Sequence, residues 1–213
     1  MAVNYSTLVA AQTTVGSIAY WINYGRIDSA GILTEAEAWI YDQLRVPEMR
    51  ALADIAIAED DTYVSKPTGF LDPIHLGIPG VGNITQVDVE QFRRMLPLDE
   101  DNLLPEGVPT LWADYDDRIN FNTKADAAYT AKMAYYKTPT ALSVSNETNW
   151  LTINHPTLLR RVCLMFAAEA RKEFDSMDRA EIKALSMIEE IKRDGDLGMR
   201  SSELDFNWEE ARY

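Results

Sequence analysis

Between Pro67 and Gly82 the chain carries seven prolines and glycines: Pro67, Gly69, Pro73, Gly77, Pro79, Gly80 and Gly82. Proline removes a backbone donor, and glycine gives the unfolded chain more freedom to lose on folding, so no long regular element should cross this stretch. Turns are expected here, and any long helix must lie to one side or the other.

On the N-terminal side, Leu8, Val9, Ala11, Val15, Ile18, Ala19 and Ile22 recur at three- and four-residue spacings. That period predicts a helix from an Ser6 N-cap to Tyr24, stopped by Gly25. A second helix is predicted to begin at the T-x-x-E capping box of Thr34 and Glu37, to bury Ala36, Trp39, Ile40 and Leu44, and to kink or restart at Pro47. From Ala53 the period changes to two: Ile55 and Ile57 share one side, and a second extended piece follows around Tyr63 and Val64. A short helix is expected over Asp88 to Met95. Between Thr110 and Lys137 the aromatic-rich run containing Trp112, Tyr115, Phe121, Tyr129, Tyr135 and Tyr136 predicts two or three antiparallel strands.

Helical spacing then returns. Pro156 stands at a first helical position behind Asn154 or His155 as cap, and Leu158, Leu159, Val162, Cys163, Met165 and Phe166 give the helix a buried face. A fourth helix, capped by Asp175 or Ser176, should turn Ile182, Leu185, Ile188 and Ile191 inward and end at Gly195. Beyond Gly198 the residues Met199, Leu204, Phe206, Trp208 and Tyr213 alternate with polar ones but cannot build a core of their own. They read as an extended partner-docking arm, because exposed Phe and Trp are unfavourable unless binding covers them. At 213 residues, a prior of roughly 150 residues per domain fits one body with an insertion. The expected fold is therefore mainly α in a single domain: a bundle of about four helices over 1–52 and 150–197, an inserted antiparallel β-rich region over 53–149, and an extended C-terminal arm over 198–213.

Charge and composition exclude several functions. The net charge of −14, with a pI near 4.5, is the opposite of the basic footprint of a nucleic-acid binder. With one cysteine, Cys163, and two histidines, His75 and His155, there is no CxxC, no HExxH and no disulfide framework. Gly77, Gly80 and Gly82 lack the Lys-Ser/Thr of a phosphate loop. The acidic pairs Glu35/Glu37, Asp60/Asp61, Asp99/Asp101 and Asp116/Asp117 are sequence neighbours at predicted helix starts and loops, where solvation and helix dipoles explain them. No catalytic residue, metal ligand or cofactor is expected, so the chain does not read as an enzyme. It also lacks the run of roughly 18 apolar residues that a membrane span requires, and no membrane partner is expected.

Several segments together resemble the head-to-tail connector, or adaptor, family of tailed bacteriophages. They are Ser6-Thr-Leu-Val with Trp21-Ile-Asn, the run Ala36 to Met49, Lys66-Pro-Thr-Gly-Phe-Leu71, Gly107-Val-Pro-Thr, Tyr135-Tyr-Lys-Thr-Pro139 and Glu147-Thr-Asn-Trp-Leu151. Two positions depart from the pattern: Gly69 stands where an aspartate is expected, and Pro47 interrupts the end of helix two. The resemblance implies a structural virion protein, made in the host cytoplasm, that forms a ring of twelve copies beneath the portal protein. It also implies contact with a tail, nozzle or stopper protein, a lumen through which DNA passes without specific binding, and an arm that reaches the portal. From charge alone the alternative is an acidic host-directed binding protein or DNA mimic. That alternative needs a dense acidic face, whereas the acids here are interleaved with 20 basic residues.

Overall fold

The computed structural model describes residues 3–96 and 104–204, with side chains as far as Gly195. Two compact units divide the chain: Met1–Glu48 with Pro139–Tyr213, and Met49–Thr138.

The first unit is helical. It contains α1 (Tyr5–Leu8), α2 (Ile18–Trp21), α3 (Ser29–Gln43), α5 (Trp150–Asn154), α6 (Pro156–Ala170) and α7 (Phe174–Leu204); α4 belongs to the second unit. The single helix expected over Ser6–Tyr24 is instead two single turns. Asn4 caps the first, and Ser17 caps the second by accepting the Tyr20 N–H at 3.0 Å. Gly16, at φ +99°, makes the break between them, a conformation open to glycine but costly for other residues. Helix α3 starts five residues before the expected capping box, because Asp28 accepts the Gly31 N–H at 3.0 Å and takes the cap itself. Thr34 is then interior to the helix, and its hydroxyl donates back to the Ala30 carbonyl at 3.0 Å.

Helix α6 begins at Pro156 as the sequence predicts, and Leu158, Leu159, Val162 and Cys163 are fully buried on it. Lys172, at φ +60°, turns the chain between α6 and α7, which pack on each other. On α7 the buried face matches the expected one in Ile188 and Ile191 but not in Ile182 and Leu185. Ala184 and Ile188 are buried and Ile191 is half-buried, whereas Ile182 is 68 % and Leu185 39 % exposed. Small Ala184 lets the two helix backbones approach, and that rotates the bulkier Ile182 and Leu185 outward. Nor does α7 stop at Gly195. A Cβ built there would lie 3.4 Å from Pro47 Cδ, so the glycine sits against a neighbour, and one glycine costs a helix only about 1 kcal/mol. The helix therefore occupies 198–204, where an extended arm was expected, and the remainder of that arm, 205–213, lies outside the described residues.

The 3-10 turn η1 (Pro47–Met49) spans the boundary in sequence, and the second unit contains the short helix α4 (Val89–Met95) and eight strands: β1 (Arg50–Ile57), β2 (Tyr63–Ser65), β3 (Phe70–Ile78), β4 (Gly82–Asn83), β5 (Thr85–Gln86), β6 (Leu111–Tyr115), β7 (Arg118–Phe121) and β8 (Tyr129–Lys137). One sheet has the order β1-β8-β3-β4 and is antiparallel throughout. The other has the order β2-β7-β6-β5, antiparallel except for the parallel β5–β6 pair. Ile55, Ile57, Leu76 and Met133 of the first sheet share one core with Val64, Trp112, Ile119 and Phe121 of the second.

These sheets overturn the expected mainly α class: the fold is mixed α/β, with two four-stranded sheets as well as helices. The Pro/Gly-rich stretch accounts for much of the difference. Rather than only turning, it holds the nine-residue strand β3, whose register shifts at Phe70/Asp72 and Pro73/His75 accommodate the proline that cannot donate to the ladder. The glycines act at its ends: Gly69 at φ +75° and Gly80 at φ +85° adopt the left-handed backbone of tight turns.

Candidate functional site

Among the described residues no group of histidine, cysteine and acidic side chains could hold a metal ion. Cys163 is fully buried, and burial pushes its thiol pKa far up, so it is an inert core residue. His155 occupies the N-cap position of α6 without making a cap hydrogen bond; its ring packs instead on Trp150 at 4.6 Å, and burial lowers its pKa. His75 is exposed on β3.

Of the acidic pairs, Asp60/Asp61 and Asp116/Asp117 sit in turns of the β unit, and Asp99/Asp101 lie outside the described residues. Asp116 and Asp117, at φ +55° and +56°, form the two-residue turn joining β6 to β7. Asp60 pairs with Lys124 at 2.6 Å, while Asp61 accepts the Ala58 N–H at 2.7 Å. Trp112, Phe121 and Tyr135 are buried in the sheet core, while Tyr115, Tyr129 and Tyr136 are half-buried. No helix among the described residues is long and apolar enough to cross a membrane.

The segment Glu147-Thr-Asn-Trp-Leu151 is the most elaborately bonded part of the helical unit. Asn149 and Thr152 form a reciprocal capping box at the start of α5. The Asn149 amide also donates to Glu37 at 2.5 Å and to the Tyr41 hydroxyl at 3.1 Å. Glu37 is only 3 % exposed, and its other oxygen accepts the Leu142 N–H at 2.9 Å. Burial raises its pKa, although both hydrogen bonds oppose the shift. Glu147 anchors the N-terminus: it accepts the Ser6 N–H at 2.9 Å and the Ser6 hydroxyl, while its carbonyl accepts the Tyr5 N–H at 2.8 Å. These contacts hold the unit together.

Among the open grooves that the helical unit presents along α6, two are opposite in charge. One, of about 400 Å³, is floored by Trp21, Ile22, Leu164 and Ala168 and rimmed by Arg161, Arg171, Arg179 and Lys183, with Glu173 its sole acid. Arg171 is held in place by donating to the Ile22 carbonyl at 2.8 Å and by Glu173 at 2.6 Å. At the groove's edge the Arg160 guanidinium lies 4.7 Å over the Trp21 ring. The other groove, of about 370 Å³, is lined by Ile27, Ile32 and Phe166 with Asp28, Glu35 and Glu169, and contains no cation. Sequence reasoning missed the cationic groove because the net charge of −14 conceals it. The available signal was the helical spacing of Arg161 with Leu164, Ala168 and Arg171, and of Arg179 with Lys183.

Of the residues assigned to partner docking, Met199 and Leu204 fall on α7, at positions whose side chains are not described. Phe206, Trp208 and Tyr213 lie outside the described residues. A separate apolar stripe is visible on α7, where Phe174 is 59 % exposed in line with Ile182 and Leu185. A comparison with family models matches residues 4–203 to the SU10 adaptor protein family. No curated protein matches the chain.

Proposed function

The chain belongs to the SU10 adaptor protein family, a phage head-to-tail adaptor family and not an enzyme family, and from that premise we propose that it forms a ring beneath the portal of the virion. In this reading the ring joins the portal to a tail, nozzle or stopper protein, leaves a channel for DNA and contains twelve copies. The observation that carries it is the family match over residues 4–203, which spans both compact units and the helix leading to the C-terminus.

Supporting it, the surface has features of a protein that is completed by partners. Phe174, Ile182 and Leu185 form an exposed apolar stripe, and two grooves of opposite charge open beside α6. The acidic character is compatible with a lumen that repels passing DNA rather than holding it. The helical unit supplies ring and portal contacts, the β unit faces the tail, and Met199, Leu204, Phe206, Trp208 and Tyr213 anchor the C-terminal segment on the portal.

Negative-stain electron microscopy of the portal from the same genome, with and without this protein, tests the reading. An added ring layer is the expected result, and a bare portal beside folded adaptor would overturn it. The anchor assignment has its own test, truncation after Leu204. Loss of the layer is expected because buried aromatic anchors cost at least about 2 kcal/mol each on removal, and an undiminished layer would refute it.

A further inference from the structure

The two grooves lie on opposite sides of α6. At about 100° per residue, Arg161, Leu164, Ala168 and Arg171 fall on one side of the helix, and Phe166, Glu169 and Ala170 fall on the other. The first side meets Arg179 and Lys183 of α7; the second meets Asp28 and Glu35 at the start of α3. Each copy therefore carries a cationic groove and an anionic groove of similar volume facing in opposing directions.

Within one copy most of these charges are not neutralised. Arg161, Lys183, Glu35 and Glu169 take part in none of the ion pairs or side-chain hydrogen bonds found among the described residues. Arg171, by contrast, is already committed to Ile22 and Glu173, and Asp28 to the cap of α3. Like charges gathered around an open groove repel each other unless something of opposite sign enters, so both grooves gain from an occupant. The surface that matches both at once is another copy of the same chain.

We infer that neighbouring copies associate head to tail, with the Arg161/Lys183 side of one helical unit against the Glu35/Glu169 side of the next. An interface of this heterologous kind, repeated with rotation, closes a ring, whereas two identical faces would stop at a pair. Apolar floors, Trp21, Ile22 and Leu164 on one side and Ile27, Ile32 and Phe166 on the other, exclude water beneath the charges and strengthen them. Electrostatic complementarity of this sort sets register and rejects wrong partners. The inference rests on the ring proposed above and assigns its contact faces.

The test uses the full chain and the portal of the same genome, with adaptor copies per portal counted by electron microscopy and gel densitometry. One variant reverses the cationic side, Arg161→Glu with Lys183→Glu; a second reverses the anionic side, Glu35→Lys with Glu169→Lys; a third carries all four substitutions. Lys183, Glu35 and Glu169 are exposed and Arg161 is half-buried, so circular dichroism checks that each variant folds. Each two-site variant should lower ring occupancy about tenfold, since like charges are then forced together, and the four-site variant should restore it because complementarity returns with the signs exchanged.

Two-site variants that assemble as well as the wild type, beside a wild-type ring, would overturn this interface and leave the ring itself standing. A cationic-side defect that the four-site variant does not repair would also overturn it, assigning that groove to an acidic segment of another protein. Failure of the wild type to form any layer would remove the ring reading, and this inference with it.

Discussion

Two carboxylates of the helical unit respond to folding in opposite directions, so pH should separate their contributions. Burial raises Glu37 above its ordinary value of 4.5. Its folded state holds the proton more tightly, so the stability tied to the neutral form is complete below pH 4.5 and is lost as pH rises through the folded pKa. Glu147 is the reverse. Hydrogen bonds from the Ser6 hydroxyl and N–H lower its pKa, so its contribution is present above 4.5 and is lost as pH falls through the folded value. Urea midpoints of the wild type relative to Glu37→Gln should slope only above pH 4.5, and relative to Glu147→Gln only below it. Parallel curves for both variants would refute the assignments. Below pH 4.5, where that difference is flat, Glu37→Gln should lose about 1–3 kcal/mol, because glutamine brings a donor where two donors already point. The sequence made Glu37 visible as half of a capping box with Thr34 and as one of an acidic pair with Glu35; its actual partner, Asn149, is 112 residues away. A local pattern cannot report a contact over that distance.

Elements were legible where a local rule was also the winning one. Pro156 at a first helical position and the apolar face behind it located α6, because caps and spacing act within a few residues, and the short helix expected over Asp88 to Met95 is α4, which Asp88 caps. The N-terminal helix failed for a definable reason. Its apolar spacing was genuine, but Leu8 and Ile18 reach full burial from two separate turns, and the spacing alone does not require a continuous helix. On α7, amphipathic spacing turned Ile182 and Leu185 inward with Ile188 and Ile191, whereas packing against α6 selected Ala184 for its size. Two substitutions check how the elements end. Asp117→Gly should raise stability by about 1 kcal/mol in thermal denaturation, since it removes the steric cost of a left-handed residue from the β6–β7 turn. Gly195→Ala should raise it by about 0.5–1 kcal/mol, because the new methyl makes an ordinary contact with Pro47 and the helix continues through this position. A loss in the second case would mean that the glycine is needed for closer approach than 3.4 Å allows.

At the scale of the whole molecule, the way the chain enters and leaves the β unit bears on how the two units divide their work. Arg50, the first residue of β1, pairs with Tyr136, next to last in β8, so the unit's two ends are antiparallel neighbours about 5 Å apart. An insert whose ends already meet imposes little on its host, and its sheets enclose their own core. The sequence showed where alternation began and ended, but not that β1 would pair with a strand some eighty positions later, since such pairing depends on the complete sheet. The fragment Met49–Thr138, roughly 90 residues, is large enough to fold alone, and it should show a cooperative urea transition with a β-type circular dichroism spectrum. Replacing the same span in the full chain by a short Asn-Gly turn should leave the helical spectrum in place. If the portal contact belongs to the helical unit and the tail contact to the insert, this shortened protein adds a layer to the portal but recruits no tail. A fragment without a cooperative transition, together with a shortened chain that loses its helices, would show that the units fold only as one body. That result would withdraw the assignment of separate partners to each.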